Sequence, residues 1–279
     1  MKSVVVLSLL LFCVLPKNSE QTFWRFAETT PAPTTTLPSD SNAPIYQKLQ
    51  IIPPPQKTAE TVLENFFDFY PVAGNRNRRS VVLEDIVFVL DGSGSVPECE
   101  FRQGLKAFTQ AIEMCETPRG GKIYSCRHAA VTFSSLAKVD FSFLSSAQAS
   151  QRIGSIPYPG GSTNTQAGLA FAKDLLLKGS RRFSKLKVLL ITDGQSNVNK
   201  SMTVPKAQEL KKMGVQISVV AVSDLDTDAI KEMAHVASSP AIKHVFRVQS
   251  VGKLAYVFDM AFEKLKSGQY KVKPYRSPC

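Results

Sequence analysis

Five side chains in three short clusters have the chemistry of a site for a hard divalent cation. The clusters are Asp91-Gly-Ser93-Gly-Ser95, Gly160-Gly-Ser-Thr163-Asn-Thr165 and Thr192-Asp193-Gly194. Asp91, Ser93, Ser95, Thr163 and Asp193 together offer two carboxylates and three hydroxyls, with no nitrogen or sulfur among them. Mg²⁺ suits such a set because it takes few carboxylates and keeps several waters, and Mn²⁺ or Ca²⁺ accepts the same all-oxygen ligands.

These clusters need a scaffold that brings them to one place. From Glu84 onward, buried-type strands alternate with amphipathic helices. The strands are 84–90, 127–135, 137–143, 187–192, 215–222 and 243–248. EDIVFVL and KVLLIT are continuous apolar runs, the mark of strands covered on both faces. Between them, helices are predicted at 98–116, 165–177, 203–213, 226–237 and 250–266; the first repeats Phe101, Leu105, Phe108, Ile112 and Cys115 on one face. The tight link between 127–135 and 137–143 makes that pair antiparallel. The fold class is therefore α/β and doubly wound. Its mostly parallel six-stranded sheet has one antiparallel edge strand and helices on both faces. In such a sheet ligands sit at the carboxyl ends of strands where strand order reverses; the first and last clusters stand at strand ends and the second leads into the 165–177 helix, near the same edge.

With Asp-x-Ser-x-Ser at Asp91–Ser95, then Thr163 and Asp193 in order, the chain from Glu84 to about Ser267 resembles the von Willebrand factor A-type domain. That resemblance implies a Rossmann-like fold and a metal-ion-dependent adhesion site. The Ser pair and the Thr bind the metal directly or through water, the first Asp usually through water, and an open position accepts a partner's carboxylate. Extracellular matrix proteins of the matrilin, collagen-associated and invertebrate matrix kinds are the most similar in context. The implied function is a non-enzymatic matrix or cell-adhesion module whose partner is a collagen-like or other extracellular protein. The alternative is a structural component that cross-links or spaces a fibrous or mineralised matrix, with the metal secondary.

Other chemistries fit less well. Gly92-Ser-Gly94 follows a strand, but Pro97 stands where a dinucleotide fingerprint needs its third glycine. Ser93 lacks the Gly-x-Ser-x-Gly setting of a hydrolase nucleophile, and His128, His235 and His244 fall away from the clusters. Asp224-x-Asp226-x-Asp228 opens like a calcium loop, yet Ala229 replaces the required glycine, so these acids read as a helix start.

The remaining features concern compartment and processing. Lys2 and the apolar run Val4–Leu15 read as a secretory signal peptide within 1–20, too short to span a membrane. Residues 21–80 are Thr/Pro-rich and are expected to be a mostly disordered pro-segment or stalk, apart from an apolar cluster at 62–70 that could dock on the domain or on a partner. The domain itself is expected over 81–267, followed by a basic tail at 268–279. The net charge of +11 favours anionic glycans as additional partners, while nucleic acid and a membrane span are not expected. Arg76-Asn-Arg78-Arg79 resembles a processing site cut after Arg79, and Asn199-Lys-Ser201 is a glycosylation sequon. Cys115 ends a helix face and Cys126 begins the next strand, so these two are expected to pair. Cys99 and Cys279 are expected at opposite ends of the domain. They are read as thiols for intermolecular bonds, making a covalent homodimer or matrix cross-link.

Overall fold

The structure is a computed structural model that describes residues 43–69, 80–119, 121–269 and 274–279. The expected signal peptide, the first part of the Thr/Pro-rich stretch and the tetrad ending at Arg79 lie outside these residues.

Two helices come first, α1 (Ala43–Gln50) and α2 (Pro55–Asn65), and the sheet begins with β1 (Val81–Asp91). Then follow α3 (Glu98–Cys115), β2 (Ile123–Phe133), β3 (Ala137–Ser145), α4 (Ser146–Ile153), α5 (Thr165–Gly179) and β4 (Lys185–Thr192). The chain continues through α6 (Thr203–Lys212), β5 (Gln216–Val222), α7 (Thr227–Val236), the short α8 (Ala241–His244), β6 (Val245–Val248) and α9 (Val251–Ser267). Strand order is β3-β2-β1-β4-β5-β6. Only β3 runs antiparallel, against β2. The order reverses between β1 and β4, which leaves a crevice at their carboxyl ends.

The continuous apolar runs have a simple cause. Along β1, Ile86, Phe88 and Leu90 enter the core shared with α2, α3, α4 and α9. The alternate residues Val87 and Val89 enter the opposite core, with α1, α5, α6 and α7. A strand with helices on both faces can leave neither face polar. Close approach of α5 requires Gly168, where a Cβ would stand 2.9 Å from the Phe133 ring and 3.0 Å from Val89.

The structure corrects two expectations. Within the stretch read as mostly disordered, residues 43–69 are folded onto the domain and straddle the β6 edge. Ala59, Val62, Leu63, Phe66 and Phe67 are fully buried against the α9 side, and Tyr46 and Leu49 against the other. The Thr58 hydroxyl donates to the Arg247 carbonyl at 3.2 Å, so α2 satisfies a backbone acceptor of the edge strand. Beyond the end of α2, Lys187 Nζ reaches the Phe66 carbonyl at 2.5 Å and the Arg119 guanidinium donates to the Phe67 carbonyl. Both cations also face the buried Glu84, Lys187 at 2.8 Å and Arg119 at 3.6 Å. The apolar cluster at 62–70 therefore docks on the domain through Val62, Leu63, Phe66 and Phe67, while the average composition of 21–80 hides the rest of the folded segment.

The second correction concerns the cysteines. Cys115 and Cys126 pair as expected, but Cys99 bonds Cys279 of the same chain and offers no thiol for a dimer. The tail comes back along α9. Tyr275 packs on Tyr256 with ring centroids 5.5 Å apart, and Lys253 Nζ lies 4.0 Å from the Tyr275 centroid. These contacts offset the entropic cost of ordering the tail, which brings Cys279 to the end of the domain that holds Cys99. Non-reducing electrophoresis of the oxidised protein should therefore show a monomer, and its peptide map a Cys99–Cys279 pair. A disulfide-linked dimer that disappears in Cys279→Ser would contradict this pairing.

Smaller differences remain. Helix α4 was not expected; it starts with a capping box in which Ser145 and Gln148 bond reciprocally. The strand predicted from 243 is helical up to His244. No helix of the described residues is long and apolar enough to cross a membrane.

Candidate metal centre

The three clusters meet at the crevice between β1 and β4. Asp91 is the last residue of β1, and its carboxylate accepts the Ser93 N–H at 2.9 Å and the Thr192 hydroxyl at 2.7 Å. The Ser93 and Ser95 hydroxyls lie 2.9 Å apart, and Ser95 Oγ donates to Asp193 Oδ1, also at 2.9 Å. The backbone around them is pinned from several directions. Gly92 N–H bonds the Phe133 carbonyl at 2.8 Å and Gly94 N–H the Gly161 carbonyl at 2.7 Å. Tyr158 OH donates to the Ser93 and Val96 carbonyls at 3.2 and 2.8 Å. A Cβ at Gly92 would stand 2.7 Å from the Pro159 ring, so this turn tolerates no side chain there.

Thr163 is buried beside the loop that follows Asp193. Its N–H donates to Asn197 Oδ1 at 2.8 Å, and its carbonyl accepts the N–H groups of Asn197 and Val198 at 3.0 and 3.1 Å. That loop is held from below by Glu232, whose carboxylate accepts the Ser196 N–H at 3.0 Å. Asn164 caps α5 by accepting the Ala167 N–H and ties the same segment to the β2–β3 turn through the Ser135 carbonyl at 3.0 Å.

Both carboxyl groups of the cluster are shifted by their surroundings. Asp91 is 1 % exposed, and burial pushes its carboxyl up to about 6, with the nearby Asp193 adding to the rise against the hydrogen bonds from Ser93 and Thr192. Burial also raises Asp193, opposed by the Ser95 hydroxyl. Among the described residues neither carboxylate forms an ion pair. A buried and a half-buried carboxylate among hydroxyls, with no protein cation between them, match the oxygen-only donor set that a divalent ion needs. Ser93 is buried, Ser95 is exposed and Asp193 half-buried, so the group opens to solvent on one side.

The family model of the von Willebrand factor type A domain matches residues 85–260. The chain belongs to this family. Among relatives, von Willebrand factor A domain-containing protein 1 of Rattus norvegicus is 33 % identical over 167 residues, covering 58 % of this chain and 38 % of that protein. Integrin alpha-D of Homo sapiens is 28 % identical over 190 residues, covering 65 % of this chain and 16 % of the integrin. The type A domain thus spans well under half of either relative. Among solved structures, proximal thread matrix protein 1 from the mussel byssus, with a zinc-occupied MIDAS motif, superposes with a TM-score of 0.52. It is 27 % identical and the match covers 65 % of this chain and 44 % of that one.

Other residues singled out in the sequence sit elsewhere. His128 is buried under Phe88, shares a 3.1 Å hydrogen bond with Ser146 and is pushed by burial down to about 3. His235 bonds the Lys231 carbonyl one turn earlier on α7, and His244 ends α8. Asp226 is the N-cap of α7, accepting the Ala229 N–H at 2.7 Å, so that acidic run is a helix start. Glu84, Cys115 and Cys126 cluster closely, but the disulfide closes both sulfurs and Lys187 occupies the carboxylate. Asn199 is exposed, in a left-handed turn after the Asp193 loop. Sequence spacing gave no role to Tyr158, Asn197 or Glu232, because each acts on a main-chain group distant in sequence.

Proposed function

We propose that Asp91, Ser93, Ser95, Thr163 and Asp193 hold Mg²⁺, with Mn²⁺ or Ca²⁺ as substitutes, and that the chain is a secreted matrix or adhesion module. Its partner is an extracellular protein that presents a carboxylate to this edge. The observation that carries this reading is the pairing of a buried and a half-buried carboxylate at the β1–β4 crevice, among hydroxyls and with no cation from the protein among the described residues. Bound there, a divalent ion supplies a Lewis-acidic position for an incoming carboxylate. The chain's own residues do the rest. Thr192 and the Ser93 N–H orient Asp91, Ser95 orients Asp193, and Tyr158 fixes the Ser93–Val96 turn, so little reordering remains at binding.

Asp193→Ala and Thr163→Ala should each weaken Mg²⁺ or Mn²⁺ binding by more than about a hundredfold while leaving the fold intact. Isothermal titration with either ion reads this directly, and unchanged affinity in both variants would overturn the assignment. In the unsubstituted protein, saturating Mg²⁺ should raise the unfolding free energy by roughly 2.7 kcal/mol at a hundred times its Kd. The likeness to a byssus matrix protein favours a second reading, a matrix spacer in which the metal is secondary. Capture of matrix proteins that persists in EDTA would support that second reading, and capture lost in EDTA the first.

A further inference from the structure

Beside the candidate metal centre lies a recess of about 490 Å³, bounded by the β2–β3 turn on one side and by residues 157–161 on the other. We infer that this recess receives an apolar or aromatic side chain of the partner, next in its sequence to the acidic residue that reaches the metal edge. The inference rests on the metal-and-carboxylate reading above and adds the class of residue that must accompany the carboxylate.

Three observations carry it. The two sites share a wall. Gly161, which lines the recess, accepts the Gly94 N–H at 2.7 Å, one residue before Ser95. Ser135 Oγ accepts the Ser162 N–H at 2.9 Å, and the Ser134 carbonyl accepts the Asn164 N–H at 2.9 Å, on the two sides of Thr163. A ligand group at the metal edge therefore has the recess as its immediate neighbour, on a backbone tied to the same loops.

The lining is apolar where it is open. Leu136 sits at the tip of the turn with 80 % of its surface exposed, and Ala137, Pro157 and Pro159 complete the rim. At that exposure Leu136 packs little within the domain, and with Ala137, Pro157 and Pro159 it forms an apolar patch directly beside the binding group.

The one acid of the recess already has its partners. Asp140 accepts the Thr132 hydroxyl at 2.6 Å and faces Lys138 Nζ at 3.7 Å. The side chain of the acid is buried and paired with the one base of the recess, so it offers no free carboxylate to an occupant. Its volume lies within the range of about 300–1,000 Å³ typical of small-ligand pockets, ample for a single Phe, Leu or Met side chain.

The test is to pan short random peptides displayed on phage against the full chain in Mg²⁺, eluting with EDTA. The eluted peptides should carry Asp or Glu with a large apolar residue one or two positions away. Replacing that residue by Ala in a synthetic peptide should weaken binding roughly ten- to a hundredfold, the effect of exposing one buried large side chain. Leu136→Asp, a surface change that circular dichroism should show to be folded, should erase that difference. It should still bind the Ala-substituted peptide in an EDTA-sensitive way. Acidic peptides without an apolar neighbour, or an undiminished apolar preference in Leu136→Asp, would overturn the inference while leaving the metal reading standing. A failure to recover any EDTA-eluted acidic peptide would overturn the metal reading and this inference together.

Discussion

Phe66→Ala and Phe67→Ala should each cost about 3–5 kcal/mol of stability, as much as truncating a phenylalanine in the centre of the sheet. Both rings are fully buried, packed edge-to-face on one another with centroids 5.0 Å apart, and Phe67 also meets Phe258 of α9 at 6.4 Å. Domains of ordinary stability have only about 5–15 kcal/mol in hand, so the double substitution should leave little folded protein at body temperature. Urea unfolding followed by both far-ultraviolet dichroism and tryptic susceptibility would measure it. A single shared transition, shifted to lower urea, is expected because residues 43–69 and the sheet share one core. If either variant unfolds at the same urea concentration as the unsubstituted protein, the segment is an appendage and this account of the core is wrong.

Glu84→Gln should be nearly as damaging. Glu84 lies fully buried between Lys187 and Arg119, whose side chains are 1 % exposed. Removing the carboxylate charge leaves Arg119 with backbone carbonyls and the Tyr124 ring, and Lys187 with the Phe66 carbonyl and the more distant Asp68 at 3.5 Å, a loss of about 3–5 kcal/mol. Lys187→Met should cost a comparable amount. The double variant should cost clearly less than the two single losses together, since each single change strands the other's charge. Because the group is shielded from solvent, the Glu84→Gln loss should change little between low and high salt. A loss that vanishes in salt, or strict additivity in the double variant, would place these charges in water instead.

Much of this architecture was legible in the sequence for physical reasons, and the omissions have physical reasons too. A strand buried on both faces must be apolar throughout, which made β1 and β4 plain. The two halves of the metal centre then followed from polar clusters attached to their carboxyl ends. Helix α2 was obscured because its apolar residues are set in a stretch whose prolines and threonines dominate the average. Helix α4, with Ser146–Ile153 reading SAQASQRI, buries only Ser146, Ala149 and Ile153 and so shows little apolar periodicity. The Cys99–Cys279 pairing depends on how the tail packs against α9, and no spacing rule reports that. Tyr158, Asn197 and Glu232 were silent for a related reason: a side chain that braces a main-chain carbonyl or N–H far away leaves no motif.

The returning tail also decides which way the molecule faces when it is held by its carboxyl terminus. Cys279 is bonded to Cys99, in the first turn of α3 and four residues beyond Ser95, so this terminus lies on the same side of the domain as the metal edge. A capture tag, a surface linker or a fused reporter joined after Cys279 would therefore stand among the loops offered to a partner. Molecules anchored that way would press their binding edge toward the support. Binding measurements made with such an attachment would under-report affinity compared with the same protein in free solution.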